Sequence, residues 1–176
     1  MGLLDRLLRR ESPPSVPPLV EGERLVAWGT TGDGAAAVAS SRALWLPPKR
    51  PAETWQRLGW AEIHKVAWAE GVLAVTPGVE VEPGVVADGP VRRVRLAEPR
   101  DLPAEVRTRV TRSVAYTSLH RLRAGGSVRV VARRVPGRDG LTWQLRFDDG
   151  AERSDPGVRA EAEGVLTEVR TQATPS

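Results

Sequence analysis

Glycine and proline cut this chain into pieces too short for most helical folds. The sequence holds 17 Gly and 15 Pro, and between Glu23 and Leu96 they fall every few positions, leaving short runs rich in Val, Ala, Leu and Trp. Runs of that length and composition, bounded by turn residues, are the pattern of β-strands. Residues 24–29 make the first, and Gly32-Asp33-Gly34 turns the chain tightly into residues 35–40. Residues 42–46 follow and stop at Pro47-Pro48. A run over 55–60 continues into 61–68, Gly71 turns the chain into 72–76, Pro77-Gly78 and Pro83-Gly84 bound a loop, and 91–96 closes the series. The spacing thus predicts seven strands.

The pattern then changes period. Asp101 stands where a helix cap would, with Pro103 in the first turn, where a missing N–H costs nothing. Leu102, Val106, Val110, Ser113, Val114 and Thr117 share one helical face, which predicts a helix to about residue 118 that ends before Gly125-Gly126. Residues 128–135 and 141–147 read as a hairpin across Pro136-Gly137-Arg138-Asp139-Gly140. Asp155-Pro156 opens a last helix with Val158, Ala162, Val165, Leu166 and Val169 along one stripe, and residues 171–176 read as a frayed tail. At the other end, Leu3, Leu4, Leu7 and Leu8 recur at helical spacing within residues 1–11. A helix below about 12 residues is marginal alone, so this one is expected to dock on its own domain, a partner or a membrane surface. The Pro-rich stretch 12–19 reads as an extended linker.

Seven strands closed by an amphipathic helix is the element order of the pleckstrin-homology superfold, and Trp60-Ala61-Glu62-Ile63 resembles a strand that bacterial PH-like and GRAM-like domains carry midway. The segments Arg107-Thr108-Arg109-Val110-Thr111-Arg112-Ser113-Val114, Gly126-Ser127-Val128-Arg129-Val130-Val131-Ala132-Arg133-Arg134, Leu141-Thr142-Trp143 and Asp155-Pro156-Gly157-Val158-Arg159 resemble a family of small actinobacterial proteins with such a domain. The resemblance covers most of residues 20–170. It implies an α+β, mainly β fold: a PH-like seven-strand roll over 20–118 closed by its helix, with the hairpin and helix of 119–170 packed on it. That family has no assigned activity and PH-like domains host unrelated binding roles, so it implies a fold and not a function.

Composition narrows the chemistry. The chain has no Cys, which removes disulfides, thiolate metal sites and thiol nucleophiles from consideration and fits a cytoplasmic setting. No apolar run approaches the length of a membrane-spanning helix, and Asp5 and Arg6 interrupt the leucines where a secretory signal would be continuous. The histidines, His64 and His120, have no partner at motif spacing and read as structural or solvated. Glycines 32 and 34 make a turn and lack the lysine and third glycine of a phosphate loop. Glu80 and Glu82, and Asp148-Asp149, read as surface and turn carboxylates. No cofactor or metal site and no catalytic set is expected.

Charge gives the functional lead. Residues 91–146 hold 14 arginines against Glu98, Asp101, Glu105 and Asp139, a net +10, while both flanks are net acidic. In Val128-Arg129-Val130-Val131-Ala132-Arg133-Arg134, alternation places Arg129 and Arg133 on one side; with Val128, Val130 and Ala132 facing the core, the two arginines would project to solvent together. Five of the six tryptophans lie in predicted strands and read as core. Trp55, beside Lys49 and Arg50, reads as a surface anchor. The expectation is a non-enzymatic interaction module with Leu3, Leu4, Leu7, Leu8, Trp55, Arg129 and Arg133 as contacts. A protein partner fits best, an anionic lipid surface would make the chain membrane-peripheral, and nucleic acid is the weaker alternative because stacking aromatics are scarce in the arginine-rich segment.

Overall fold

The computed structural model describes residues 12–50 and 52–173; Leu3, Leu4, Leu7 and Leu8 lie outside the described residues. The chain runs β1 (Leu25–Thr31), β2 (Ala36–Ser40), β3 (Ala43–Leu46), β4 (Gln56–Gly59), a 3-10 turn (Trp60–Glu62), β5 (Ile63–Ala69), β6 (Val72–Glu82), β7 (Val85–Asp88) and β8 (Arg92–Glu98). Helix α1 (Leu102–Ser113) follows, then β9 (Val114–Arg121), β10 (Ser127–Arg133), β11 (Thr142–Phe147) and helix α2 (Pro156–Ala173). Among the described residues all 11 strands join one mixed sheet in the order β4-β3-β2-β1-β8-β6-β7-β11-β10-β9, with β5 paired to β6.

This corrects the expected PH-like seven-strand roll over residues 20–118 with a separate hairpin behind it. Two local misreadings account for the difference. First, Pro77-Gly78 does not end a strand. Val72 to Val75 pair with β8 and Val72 to Pro77 with β5, after which Gly78 to Glu82 pair with β7. Pro77 sits at the point where β6 changes partners, so its missing N–H interrupts no ladder, and its carbonyl accepts from Gly89 N at 2.7 Å. Second, α1 stops at Ser113 and β9 begins at the next residue. Val114, Tyr116 and Thr117 are strand formers whose spacing also matches a helical face, so period alone does not separate the two. β9 then pairs antiparallel with β10, β10 with β11, and β11 parallel with β7 at Leu145↔Val85. That last pairing makes the sheet continuous.

Each helix covers one part of the sheet. Leu102, Val106 and Val110 of α1 pack on Ala37, Ala39, Leu44, Ile63, Leu73, Val75 and Leu96; burying a side chain of that size contributes about 2 kcal/mol. Pro103 lies in the first turn as expected, while Asp101 makes no side-chain cap bond. Val158, Ala162 and Val169 of α2 pack on Val85, Val128, Val130 and Leu145. There the cap does form: the Asp155 carboxylate accepts from Gly157 N at 2.7 Å and Val158 N at 3.1 Å.

The opposite side of β2 and β3 is closed by the chain before β1. Leu19, Trp28 and Trp55 pack on Ala36, Val38 and Trp45, and Pro17 is buried, so the proline-rich stretch lies along the sheet. Glu23 fastens it. Its buried carboxylate accepts from Ser40 Oγ, from Trp45 Nε1 at 3.0 Å and from Val20 N at 3.3 Å. No described helix is long and apolar enough to cross a membrane.

Candidate functional site

A basic groove of about 600 Å³ lies between the last turns of α1 and the β10–β11 connection. Arg109, Arg112 and Ser113 line one wall, Arg134, Val135, Pro136, Arg138 and Leu141 the other, with Ser41 and Trp60 also lining it. The fold brings these arginines together for a specific reason. Arg134 N donates to Ser113 O at 2.7 Å, which ties the end of β10 to the end of the helix. Gly137 and Gly140 then take φ of +80° and +79° and turn the connection back, a conformation that costs glycine little. The Arg42 guanidinium lies under this turn, 3.6 Å from where a Gly137 β-carbon would be.

Only part of this charge is neutralised. Arg109 donates to Glu105 Oε1 at 2.5 Å and to Ser41 O at 3.3 Å, and its guanidinium lies 5.8 Å from the Trp60 ring centroid. It is therefore held in place by three contacts. Arg112, Arg134 and Arg138 form no ion pair among the described residues, and Asp139 is the one carboxylate lining the groove. A hollow of this shape, with forked donors over an apolar strip of Val135, Pro136 and Leu141, suits an extended anionic chain.

A second basic hollow, about 470 Å³, lies beside the β1–β2 turn and carries Lys49, Arg92, Arg93 and Arg95. Asp33 and Glu53 line it as well, so its field is more balanced.

A polar junction, enclosed at His64 and open to solvent at Asp88 and Lys65, joins the two parts of the sheet. The Asp88 carboxylate on β7 accepts from His64 Nδ1 at 3.0 Å, Lys65 Nζ at 2.5 Å and Arg146 at 2.6 Å. Burial holds the His64 imidazole below its usual pKa despite the bond to Asp88, with Arg146 and Arg133 adding repulsion. Burial alone would raise Asp88, but the bonds from Lys65 and His64 and the Arg146 charge outweigh it and hold the carboxyl below the usual range. A neutral imidazole oriented by a carboxylate is half of a hydrolytic constellation. The other half is missing at this position: Nε2 is buried with no hydrogen-bond partner and faces Gly78, where a β-carbon would lie 2.2 Å away.

The structure distributes the residues singled out in the sequence. Val128, Val130 and Ala132 are buried as alternation requires, and Arg129 is exposed. Arg133 does not join it at the surface; it is 3% exposed, with one nitrogen bonded to Ser113 Oγ at 2.8 Å. Both lie on one face of β10, but that face is covered at the Arg133 end. Trp55 is half-buried against the Trp45 cluster, while Trp68 is 40% exposed. His120 contacts Ser118 Oγ at 2.8 Å. The charge count over residues 91–146 contained Arg109, Arg112, Arg134 and Arg138, but choosing them needed the contact between the end of α1 and the end of β10.

Comparison with protein-family models, with curated proteins and with solved structures finds no match. The reading of the site therefore rests on its chemistry.

Proposed function

We propose that this protein is a binding module, not an enzyme, and that it takes an anionic segment of a protein partner into the groove between α1 and the β10–β11 connection. The observation that carries this reading is the set of three arginines, Arg112, Arg134 and Arg138, left without carboxylate partners among the described residues in one concave site. The apolar strip beside them favours a peptide, whose side chains alternate between charge and hydrocarbon, over a flat lipid surface. Trp60, the one aromatic lining the groove, is 2% exposed and offers no platform for a base, which disfavours single-stranded nucleic acid. By the sequence pattern, the leucine face of Leu3, Leu4, Leu7 and Leu8 is a second contact.

Fluorescence anisotropy with a labelled Glu/Asp-rich peptide and its phosphoserine counterpart tests this. Binding is expected to weaken as salt rises, and the Arg112→Ala/Arg138→Ala double variant to lose about tenfold or more in affinity, since charge-assisted bonds of this type are among the stronger ones. Unchanged affinity in the double variant would overturn the groove. Tighter retention of DNA or of phosphatidylserine vesicles than of either peptide would replace the protein partner with that ligand.

A further inference from the structure

The mixed sheet parts where β11 approaches β7. Their pairing is made at Leu145↔Val85, with Leu145 N donating to Gly84 O at 2.9 Å, and the residues just before it, Thr142, Trp143 and Gln144, line a hollow of about 360 Å³ instead. Its chemistry is the reverse of the groove's. No lysine or arginine lines it, while Glu62 and Glu80 do. Each carboxylate is steadied by one backbone N–H, Gly59 N on Glu62 Oε2 at 2.6 Å and Gly84 N on Glu80 Oε1 at 2.8 Å, which leaves the second oxygen of each available.

Two further acceptors belong to residues of its wall. Gln144 Oε1 and His64 Nε2 are both buried without a hydrogen-bond partner, and the His64 side chain is only 1% exposed. With Nδ1–H directed at Asp88, the other ring nitrogen carries a lone pair. Buried acceptors left unpaired cost free energy, and native proteins usually satisfy them. The remaining walls come from Leu58, Ala61, Pro77, Val86 and Trp143. Of the cations close by, Lys65 and Arg146 are engaged with Asp88 and Arg133 is bonded to Ser113 Oγ.

We propose that this hollow binds an organic cation, an ammonium or guanidinium group with an alkyl stem. Carboxylates at the rim supply charge, the buried amide oxygen accepts an N–H, and the aliphatic walls cover the stem. An anion would meet the carboxylates of Glu62 and Glu80 at the rim. A divalent metal would need three or more His, Cys, Asp or Glu side chains gathered within bonding reach, and the described residues hold no such group. The same chemistry is carried by a free amine and by a lysine or arginine side chain of a partner.

The test is a two-dimensional NMR titration of the full chain following the Trp143 indole, assigned through Trp143→Phe. Probes are n-butylamine, n-butylguanidine, neutral n-butanol, and a short peptide ending in Lys or Arg. Both cations are expected to shift the indole saturably, butanol not, and the Glu62→Gln/Glu80→Gln double variant to bind about tenfold more weakly. Glutamine keeps an oxygen for Gly59 N and Gly84 N, so unchanged shifts of the other indoles establish that this variant is folded. Tighter binding of the peptide assigns the site to a partner's side chain, and tighter binding of the free cation to a small amine. Equal shifts from butanol and butylamine, no saturable shift, or unaltered binding by the double variant would each overturn the proposal. The Arg112→Ala/Arg138→Ala variant should titrate like the unaltered chain, which keeps this result independent of the groove.

Discussion

His64 on β5 and Asp88 on β7 meet through Nδ1 and Oδ1 at 3.0 Å, with the imidazole enclosed and the carboxylate also holding Lys65 and Arg146. Both groups have folded pKa values below their unfolded ones. For each, the folded state resists taking a proton that the unfolded chain takes readily, so their stabilisation is present above the unfolded pKa and is lost as pH falls through the folded one. The His64 part begins to go below the ordinary imidazole value of 6.5, and the Asp88 part below the ordinary carboxyl value of 3.8. The charged groups facing the pair are Lys65, Arg133 and Arg146. Urea midpoints measured from pH 8 downward should fall below pH 6.5, and His64→Phe should flatten the first part of the decline. A midpoint independent of pH through that first part would contradict the neutral, enclosed imidazole.

Gly78 is the position that gives the ring its room. An added β-carbon would lie 2.2 Å from His64 Nε2, closer than any contact allows, so the imidazole or the β6 backbone must shift. Gly78→Ala should therefore destabilise by about 1–3 kcal/mol, the usual range for overpacking an enclosed site. The readout is a lowered urea midpoint at constant m. Gly84, with no atom within 4 Å of its β-carbon position, has φ of +73°, so its alanine variant would test backbone strain alone and should leave the His64 resonances in place.

Arg133 is buried beside other cations. Burial and the Arg146 charge both disfavour its protonated form, its Nε has no partner, and its guanidinium bonds to a neutral hydroxyl, Ser113 Oγ. Replacing a poorly compensated buried charge by hydrocarbon of similar length is often neutral or stabilising. Arg133→Met should leave stability unchanged or raise it by about 1 kcal/mol on that ground, whereas a loss of several would mean the guanidinium holds the junction together. Thermal and urea denaturation of the single variant decide between these.

The residues just discussed also show what the sequence made legible. The turn at Gly32-Asp33-Gly34, the β10–β11 hairpin and the Asp155-Pro156 helix start are all local signals, and the structure has each of them. The register of Arg129 among Val128, Val130 and Ala132 also follows from alternation. Non-local relations were not legible. Pro77-Gly78 looks like a stop until one knows that β6 exchanges β5 and β8 for β7 there. Val114 and Thr117 continue a helical face on paper and sit in a strand because β10 offers them a ladder. Arg133 is enclosed because Ser113 and His64 come from segments far away in the chain. The groove has the same character: its arginines are many residues apart, joined by one backbone bond from Arg134 N to Ser113 O.

Glu23 offers the sharpest test of how the segment before β1 is held. The side chain is fully enclosed in the structure, and its nearest cation, Arg57, is 3.8 Å away and partly exposed. Burial by itself would push the carboxyl up, yet hydrogen bonds from Ser40, Trp45 and the Val20 amide, with the Arg57 charge, bring it below the ordinary value. The carboxylate is thus ionised and held mainly by neutral donors. Glu23→Ala leaves the Trp45 indole N–H without its acceptor inside the cluster formed with Ala36, Val38 and Ala43, and an unpaired buried donor costs about 1–3 kcal/mol. Ser40 Oγ suffers less, since its one proton can turn to Ala43 O, 2.9 Å away. A double-mutant cycle with Trp45→Phe isolates the bond: a coupling of about 1 kcal/mol is expected for residues in direct contact. Additive losses would show that Glu23 acts through Ser40 and the Val20 amide alone. Faster proteolysis within residues 12–22 in Glu23→Ala, with the β10–β11 connection cut no faster, would place the lost stability in the segment before β1.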